Sequence, residues 1–269
     1  MTLDTRRVIV THIITRLDRG GSAEVVLELA ARLDRQRFDV RIITGYTVEP
    51  MYDLDEYSNR TGVSITVLPR LRRDVMPRSD ASACLALIRL LKQDHPDIVH
   101  THTSKAGILG RIAAKRAGTP VVVHAPHGHI FHGYFDRATS RFFILLEKIM
   151  ARSTDRIITL TDLGKRDHIA YRIGPPDRFI TIPCAIDLAR FSNAAREGQK
   201  LRETLGMTPD QPMVLWVGRL VPIKGCEIFL HACARVSVRH EQARFFMIGD
   251  GPLRDSLRTL ASNLGLNGR

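Results

Sequence analysis

Short runs of β-branched and other apolar residues recur along the chain, separated by longer segments in which apolar positions return every three or four residues. The runs at 8–14, 40–44, 64–68, 97–100 and 120–124 have the length and composition of strands. Between them, segment 22–33 sets Val25, Val26, Leu29, Ala30 and Leu33 on one helical face, and segments 82–91 and 105–117 repeat that spacing. A strand-then-helix rhythm of this kind predicts an α/β fold: a doubly wound parallel sheet with helices on both faces.

Pro175-Pro176 interrupts the rhythm and divides the chain into a first domain, 1–175, and a second part, 176–269. Residues 179–182 read as a short strand opening the second part. An irregular stretch follows to Phe191, then a polar helix over about 192–205. The pattern restarts as strand 213–217, glycine turn, helix 226–238, strand 243–248, glycine turn and helix 253–263. Two strand–helix units leave a strand edge unpaired and sheet faces uncovered, so the second part reads as the beginning of a domain that the chain does not complete.

Charge changes the picture next. Forty Lys and Arg against 28 Asp and Glu give a formal net charge of +12, which favours anionic partners: phosphates, nucleic acids or acidic lipids. Aromatics make up only 6% of the chain and no nucleic-acid-reading module is present, so nucleic acid is excluded as a partner. Cys84, Cys184, Cys226 and Cys233 lie far apart without a Cys-x-x-Cys pair, which fits a reducing cytosol rather than a disulfide framework or zinc knuckle. The apolar run 8–14 is interrupted by His12 and closed off by Arg16, too short for a signal segment or membrane span.

Three turns and one loop could carry chemistry, all at the carboxyl ends of predicted strands, where open α/β sheets bind ligands. Gly20-Gly21 leads straight into the first helix, so backbone amides and the positive end of the helix dipole can approach an anion; a plain tight turn is the alternative. The segment from His124 to His132 packs four of the eleven histidines into nine residues. Imidazoles can bond phosphates or sugar hydroxyls, and without a Cys or carboxylate before Asp136 no metal site is expected. Arg219 and Lys224 bracket the turn after strand 213–217, so both can converge on one multiply charged group such as a diphosphate; a solvated basic turn is the alternative. Gly249 and Gly251 form the corresponding turn after the next strand, which could equally serve only to start a helix at Pro252.

The chain resembles glycosyltransferase family 4 in five stretches: Gly20-Gly21-Ser22-Ala23-Glu24, Pro126-His127-Gly128-His129, Ile182 to Asp187 with Phe191, Gly218-Arg219-Leu220 with Lys224-Gly225, and Gly249-Asp250-Gly251-Pro252. Their order and spacing are specific together, and they span nearly the whole chain. The resemblance implies the GT-B architecture of two Rossmann-like domains and a metal-independent, retaining transfer from a nucleotide diphosphate sugar. It implies His127 at the reacting sugar, Arg219 and Lys224 on the leaving diphosphate, and Gly20, Gly21, Gly249 and Gly251 around the nucleotide sugar. No cofactor is expected beyond the donor substrate. Where the family has Pro-Asn-Gly, this chain has Pro183-Cys184-Ala185. The family's pair of glutamates eight positions apart, which grips the donor sugar, would fall after Arg269, so residues 1–269 alone are expected to fold at least through the first domain but without useful turnover.

The expected activity is therefore a hexosyltransferase of bacterial surface polysaccharide synthesis acting on a lipid-linked acceptor. An inactive or binding-only fragment and a sugar-nucleotide epimerase of the same fold are the alternatives. Arg70, Arg72, Arg73 and Arg78, with Lys105, Arg111, Lys115 and Arg116, suggest a cytoplasmic protein held peripherally at an anionic membrane surface; a solvated basic face is the other reading.

Overall fold

The computed structural model describes residues 6–128, 136–184, 188–192 and 194–268. They fall into two compact units, Met1–Ala185 and Ile186–Arg269.

In the first unit the chain runs β1 (Val8–Ile14), α1 (Gly21–Arg32), β2 (Phe38–Thr44), α2 (Leu54–Thr61), β3 (Ser64–Val67), α3 (Pro77–Asp94) and β4 (Ile98–His102). It continues α4 (Ser104–Ala117), β5 (Val121–Ala125), α5 (Arg137–Ala151), β6 (Arg156–Thr159), α6 (Asp162–Ala170) and β7 (Phe179–Thr181). The strands form one parallel sheet in the order β3-β2-β1-β4-β5-β6-β7. The chain winds outward from β1 to β3, then returns to place β4 on the other side of β1. That reversal opens a crevice at the carboxyl ends of β1 and β4, the position where such sheets receive ligands.

Alternation along β1 builds both faces of the sheet. Ile13 packs with Leu87 and Leu91 of α3 and Ala106 and Ala113 of α4, whereas Ile14 packs with Val26 and Leu27 of α1 and Tyr57 of α2. Each of these aliphatic side chains is at most 2% exposed, and burying one of the leucines, isoleucines or valine stabilises the fold by roughly 1.5–3 kcal/mol. Register is reinforced at the sheet's amino end, where Asp97 accepts a hydrogen bond from Ile9 N (2.8 Å) and Asp155 accepts one from Val122 N (2.7 Å).

The expected doubly wound sheet is present, with differences of extent. The strand at 179–181, expected to open the second part, instead pairs with β6 from Ile157↔Phe179 to Thr159↔Thr181, and Phe179 sits in a core cluster with Ile157 and Ile173. Helix α3 starts at Pro77 rather than 82, because proline at the first helical position has no amide that needs a partner.

In the second unit α7 (Ala194–Thr204) precedes β8 (Met213–Val217), α8 (Cys226–Ser237), β9 (Arg244–Ile248) and α9 (Arg254–Asn263). β8 and β9 are parallel, in register from Met213↔Arg244 to Val217↔Ile248. Trp216 and Phe245 pack onto Leu230, Cys233 and Leu257 on the helix-covered side. Leu215, Val217 and Ile248 remain 50%, 67% and 54% exposed.

Candidate functional site

Four histidines meet at the crevice of the first unit. His12 of β1 lies directly opposite His100 of β4 in the parallel register, and His102, two residues on, points to the same side of the sheet. His12 Nδ1 and His102 Nε2 share a hydrogen bond of 3.0 Å, and His102 Nδ1 shares another of 2.9 Å with Nε2 of His127, just past β5. His100 leans on His102 with ring centroids 4.1 Å apart. His12 and His102 are each 1% exposed and His100 7%. His127 holds a left-handed backbone conformation, φ 55°, which histidine adopts more readily than most side chains.

Burial sets the electrostatics. It pushes the His12 and His127 imidazoles down to about 4, from an ordinary 6.5. His100 and His102 also lie well below that value, first through burial and then through neighbouring imidazoles; for His124 the second cause is Arg111. At neutral pH all five rings are uncharged, each with one N–H and one lone pair.

A nitrogen from each of His12, His100 and His102 lies within 4.8 Å of the others, a spacing that could admit a metal ion. Three neutral imidazoles are a donor set zinc accepts. The His12–His102 hydrogen bond, however, already satisfies one nitrogen on each of those rings. This trio differs from the 124–132 run considered from the sequence: His124 lies 3.0 Å from Thr101 Oγ1, and His129 and His132 lie outside the described residues. Sequence reading noticed His12 only as a break in an apolar run. A period of two in Ile98-Val99-His100-Thr101-His102 was the available signal that two histidines share a face.

Gly20 and Gly21 begin α1 at the same end of this sheet, with Gly20 in the capping position. A Cβ added to Gly21 would meet nothing within 4 Å, so packing does not require glycine there. The remaining expected site residues belong to the second unit. Arg219 and Lys224 are both exposed, in the loop between β8 and α8, and neither side chain has an ion-pair or hydrogen-bond partner among the described residues. Buried Leu220 anchors that loop. Its amide donates to Asp250 O (2.9 Å) and its carbonyl accepts from Leu253 N (3.2 Å). Gly249 and Gly251 pack directly on the same loop: a Cβ at Gly249 (φ 147°) would lie 1.8 Å from Gly218 O, and one at Gly251 (φ 156°) 2.5 Å from Leu220 O. Close backbone packing thus accounts for both glycines.

Two members of the expected basic face are otherwise engaged. Arg111 is wholly buried, donating from Nη2 to both carboxylate oxygens of Glu147, and Lys105 pairs with Asp80 at 2.5 Å. An amphipathic helix alternates buried and exposed positions, and charge alone did not reveal that Arg111 lies on the inner side of α4. Arg70, Arg72, Arg73, Arg78, Lys115 and Arg116 are exposed. Among the described residues no helix is long and apolar enough to cross a membrane.

Known proteins resemble the chain throughout its length. It is 32% identical over 242 residues to the Escherichia coli UDP-Gal:alpha-D-GlcNAc-diphosphoundecaprenol alpha-1,3-galactosyltransferase, covering 89% of this chain and 61% of that protein. A D-inositol 3-phosphate glycosyltransferase of Actinosynnema mirum is 25% identical over 263 residues, 93% of this chain and 62% of that protein. The chain thus spans about three fifths of the length of these curated relatives. Among solved structures, Anabaena HepE in complex with UDP-glucose superposes with a TM-score of 0.76 at 18% identity, covering 98% of this chain and 68% of that one, which shows the shared GT-B-like fold. Residues 198–269 match the family described as glycosyl transferases group 1. Residues 20–185 match the glycosyl transferase 4-like domain, and with more than half of its length in that match the chain belongs to the glycosyl transferase 4-like family.

Proposed function

We propose that this chain forms the acceptor-side domain and part of the donor-side domain of a retaining hexosyltransferase. The enzyme moves a sugar from a nucleotide diphosphate sugar to a lipid-linked acceptor in bacterial surface polysaccharide synthesis. The observation that carries the reading is the pair Arg219 and Lys224: two exposed cations without protein partners among the described residues, on one loop at the carboxyl end of β8. Two such cations stabilise a diphosphate as it departs with its negative charge, the kind of interaction that dominates this catalysis. The family membership supports the reaction class. The E. coli relative, named for a UDP-galactose donor and a diphosphoundecaprenol acceptor, supports the choice of substrates.

In this reading His127 faces the reacting sugar, and the amides at Gly20 and Gly21 offer their N–H groups to an anion. Gly249 and Gly251 shape the loop that presents Arg219. No cofactor beyond the donor substrate takes part. The protein works on the cytoplasmic side of the membrane, held there by exposed Arg70, Arg72, Arg73, Arg78, Lys115 and Arg116, at about 1 kcal/mol for each basic residue near an anionic surface.

Calorimetric titration with UDP tests the central point. Arg219→Ala and Lys224→Ala should each weaken binding roughly tenfold or more, the cost of a lost charge-assisted hydrogen bond. Unchanged affinity in both variants would remove the diphosphate assignment. Equal binding to neutral and anionic vesicles at low salt would remove the membrane assignment.

A further inference from the structure

The hydrogen-bonded line His127–His102–His12 has a consequence for the nitrogen of His127 that lies away from His102. A hydrogen bond between two neutral imidazoles needs an N–H on one side and a lone pair on the other, and each ring owns one of each. The two bonds, at 2.9 and 3.0 Å, therefore run in the same direction along the line. Only two arrangements exist. In one, His127 Nε2–H donates to His102 Nδ1 and His102 Nε2–H donates to His12 Nδ1, which forces the proton of His12 onto Nε2. In the other, His12 Nδ1–H donates to His102 Nε2 and His102 Nδ1–H donates to His127 Nε2, which leaves His12 Nε2 bare and puts the proton of His127 on Nδ1.

The inner end of the line selects between them. His12 Nε2 is buried and has no hydrogen-bond partner among the described residues. The first arrangement buries an N–H with nothing among the described residues to receive it, which folded proteins avoid more strictly than an unused lone pair. His100 leans on the line with its ring tilted, and its own Nε2 is likewise buried without a partner among the described residues, so it supplies no acceptor there. Depressed basicity throughout the cluster keeps a second proton off these rings at neutral pH.

We propose that His102 and His12 are positioning residues that hold His127 as its Nδ1–H tautomer, so that its outer nitrogen is a neutral hydrogen-bond donor to an oxygen of the bound sugar. The inference rests on the reading of His127 as a sugar-facing residue. It adds that this residue donates rather than accepts, and that the sheet interior decides which. A donor at that point suits a hydroxyl or ring oxygen and cannot act as the base that removes a proton.

Nitrogen-15 NMR of the imidazoles in the full chain, at neutral pH and without nucleotide, reads the tautomers directly. Single His→Gln variants assign the signals. The expected pattern is a protonated Nδ1 and bare Nε2 on His127, His102 and His12 alike. His12→Asn, whose amide can still donate near the position of Nδ1, should keep that pattern on His127. His12→Leu and His102→Phe should abolish it, giving mixed or Nε2–H signals, and circular dichroism reports whether each variant is folded. Should the variants not fold, the wild-type spectrum alone decides. An Nε2–H signal on wild-type His127, or one equivalent of transition metal bound through His12 and His102, would overturn the inference. Added UDP-sugar should shift the His127 signals. If they stay fixed while the tautomer is as expected, the sugar-facing reading fails and the assignment of His102 and His12 stands.

Discussion

Arg111 on α4 and Glu147 on α5 form a forked ion pair inside the first unit, with Arg111 Nη2 donating at 2.8 and 2.9 Å to the two carboxylate oxygens. Arg111 also donates from Nε to Gly107 O at 2.8 Å. The pair clamps two helices that cover the sheet beside β5, and His124 Nε2 approaches the same carboxylate at 4.0 Å. Removing one partner of such a pair strands a buried charge. Arg111→Met or Glu147→Gln should therefore lower unfolding stability by about 3–5 kcal/mol, while the double change to Met and Leu should cost much less. Urea denaturation of the three variants checks this, and additive losses would show that the two side chains act independently.

Acid should weaken the fold in a window set by the histidines. His12 and His127 have folded values of about 4 against 6.5 in the unfolded chain, so between those values the unfolded chain binds protons that the native chain refuses. Their stabilising contribution is intact above about 6.5 and is lost as pH falls toward about 4. A shift of that size amounts to about 3 kcal/mol for His12. Asp97, held below its ordinary 3.8 mainly by the Ile9 amide, loses its contribution only at lower pH, so the two effects separate. Urea midpoints measured from about pH 7.5 to about pH 4.5 should fall steadily, and His12→Asn should flatten the slope.

How far the fold could be read from the sequence follows from the strength of each period. Strands β1, β2, β4 and β5 and helices α1 and α4 were legible because an α/β core demands apolar runs on strands and stripes on helices. The stretch from α5 to α6 was not. β6 offers only Arg156-Ile157-Ile158-Thr159, and α5 carries Phe142, Leu145 and Ile149 on its exposed side, which blurs its periodicity. β7 was recognised as a strand but given to the wrong unit, since three residues carry no information about their pairing partner. In the site, Arg219 and Lys224 were visible as a turn after a strand. The histidine line was not, because it joins β1, β4 and the end of β5, which only the sheet order β1-β4-β5 brings side by side.

Gly21 and Gly249 should respond unequally to the same substitution. A Cβ at Gly249 would lie 1.8 Å from Gly218 O, so Gly249→Ala should destabilise the second unit by at least about 2 kcal/mol. Gly21 has open space and sits in the first turn of α1, so Gly21→Ala should leave stability within about 0.5 kcal/mol of the parent. If amides there approach phosphates, the change should appear in nucleotide affinity instead. Thermal melts of both variants, with UDP titration of Gly21→Ala, separate packing from ligand approach.

The second unit should open before the first. Among the described residues β8 pairs only with β9, whereas β1 is flanked by β2 and β4. A strand bonded along one edge has its other amides and carbonyls available to water. Apolar cover differs in the same sense: Ile13 and Ile14 of β1 are at most 1% exposed, but Leu215 and Val217 of β8 are half exposed or more. Fewer buried contacts and fewer shared hydrogen bonds lower the free energy of local opening. Hydrogen exchange at neutral pH should therefore find the amides of β8 and β9 at least tenfold less protected than those of β1 and β4, each tenfold corresponding to about 1.4 kcal/mol. Equal protection in the two sheets would mean that the exposed side of β8 and β9 is covered in solution, and gel filtration of the same sample would then reveal whether a second copy of the chain covers it.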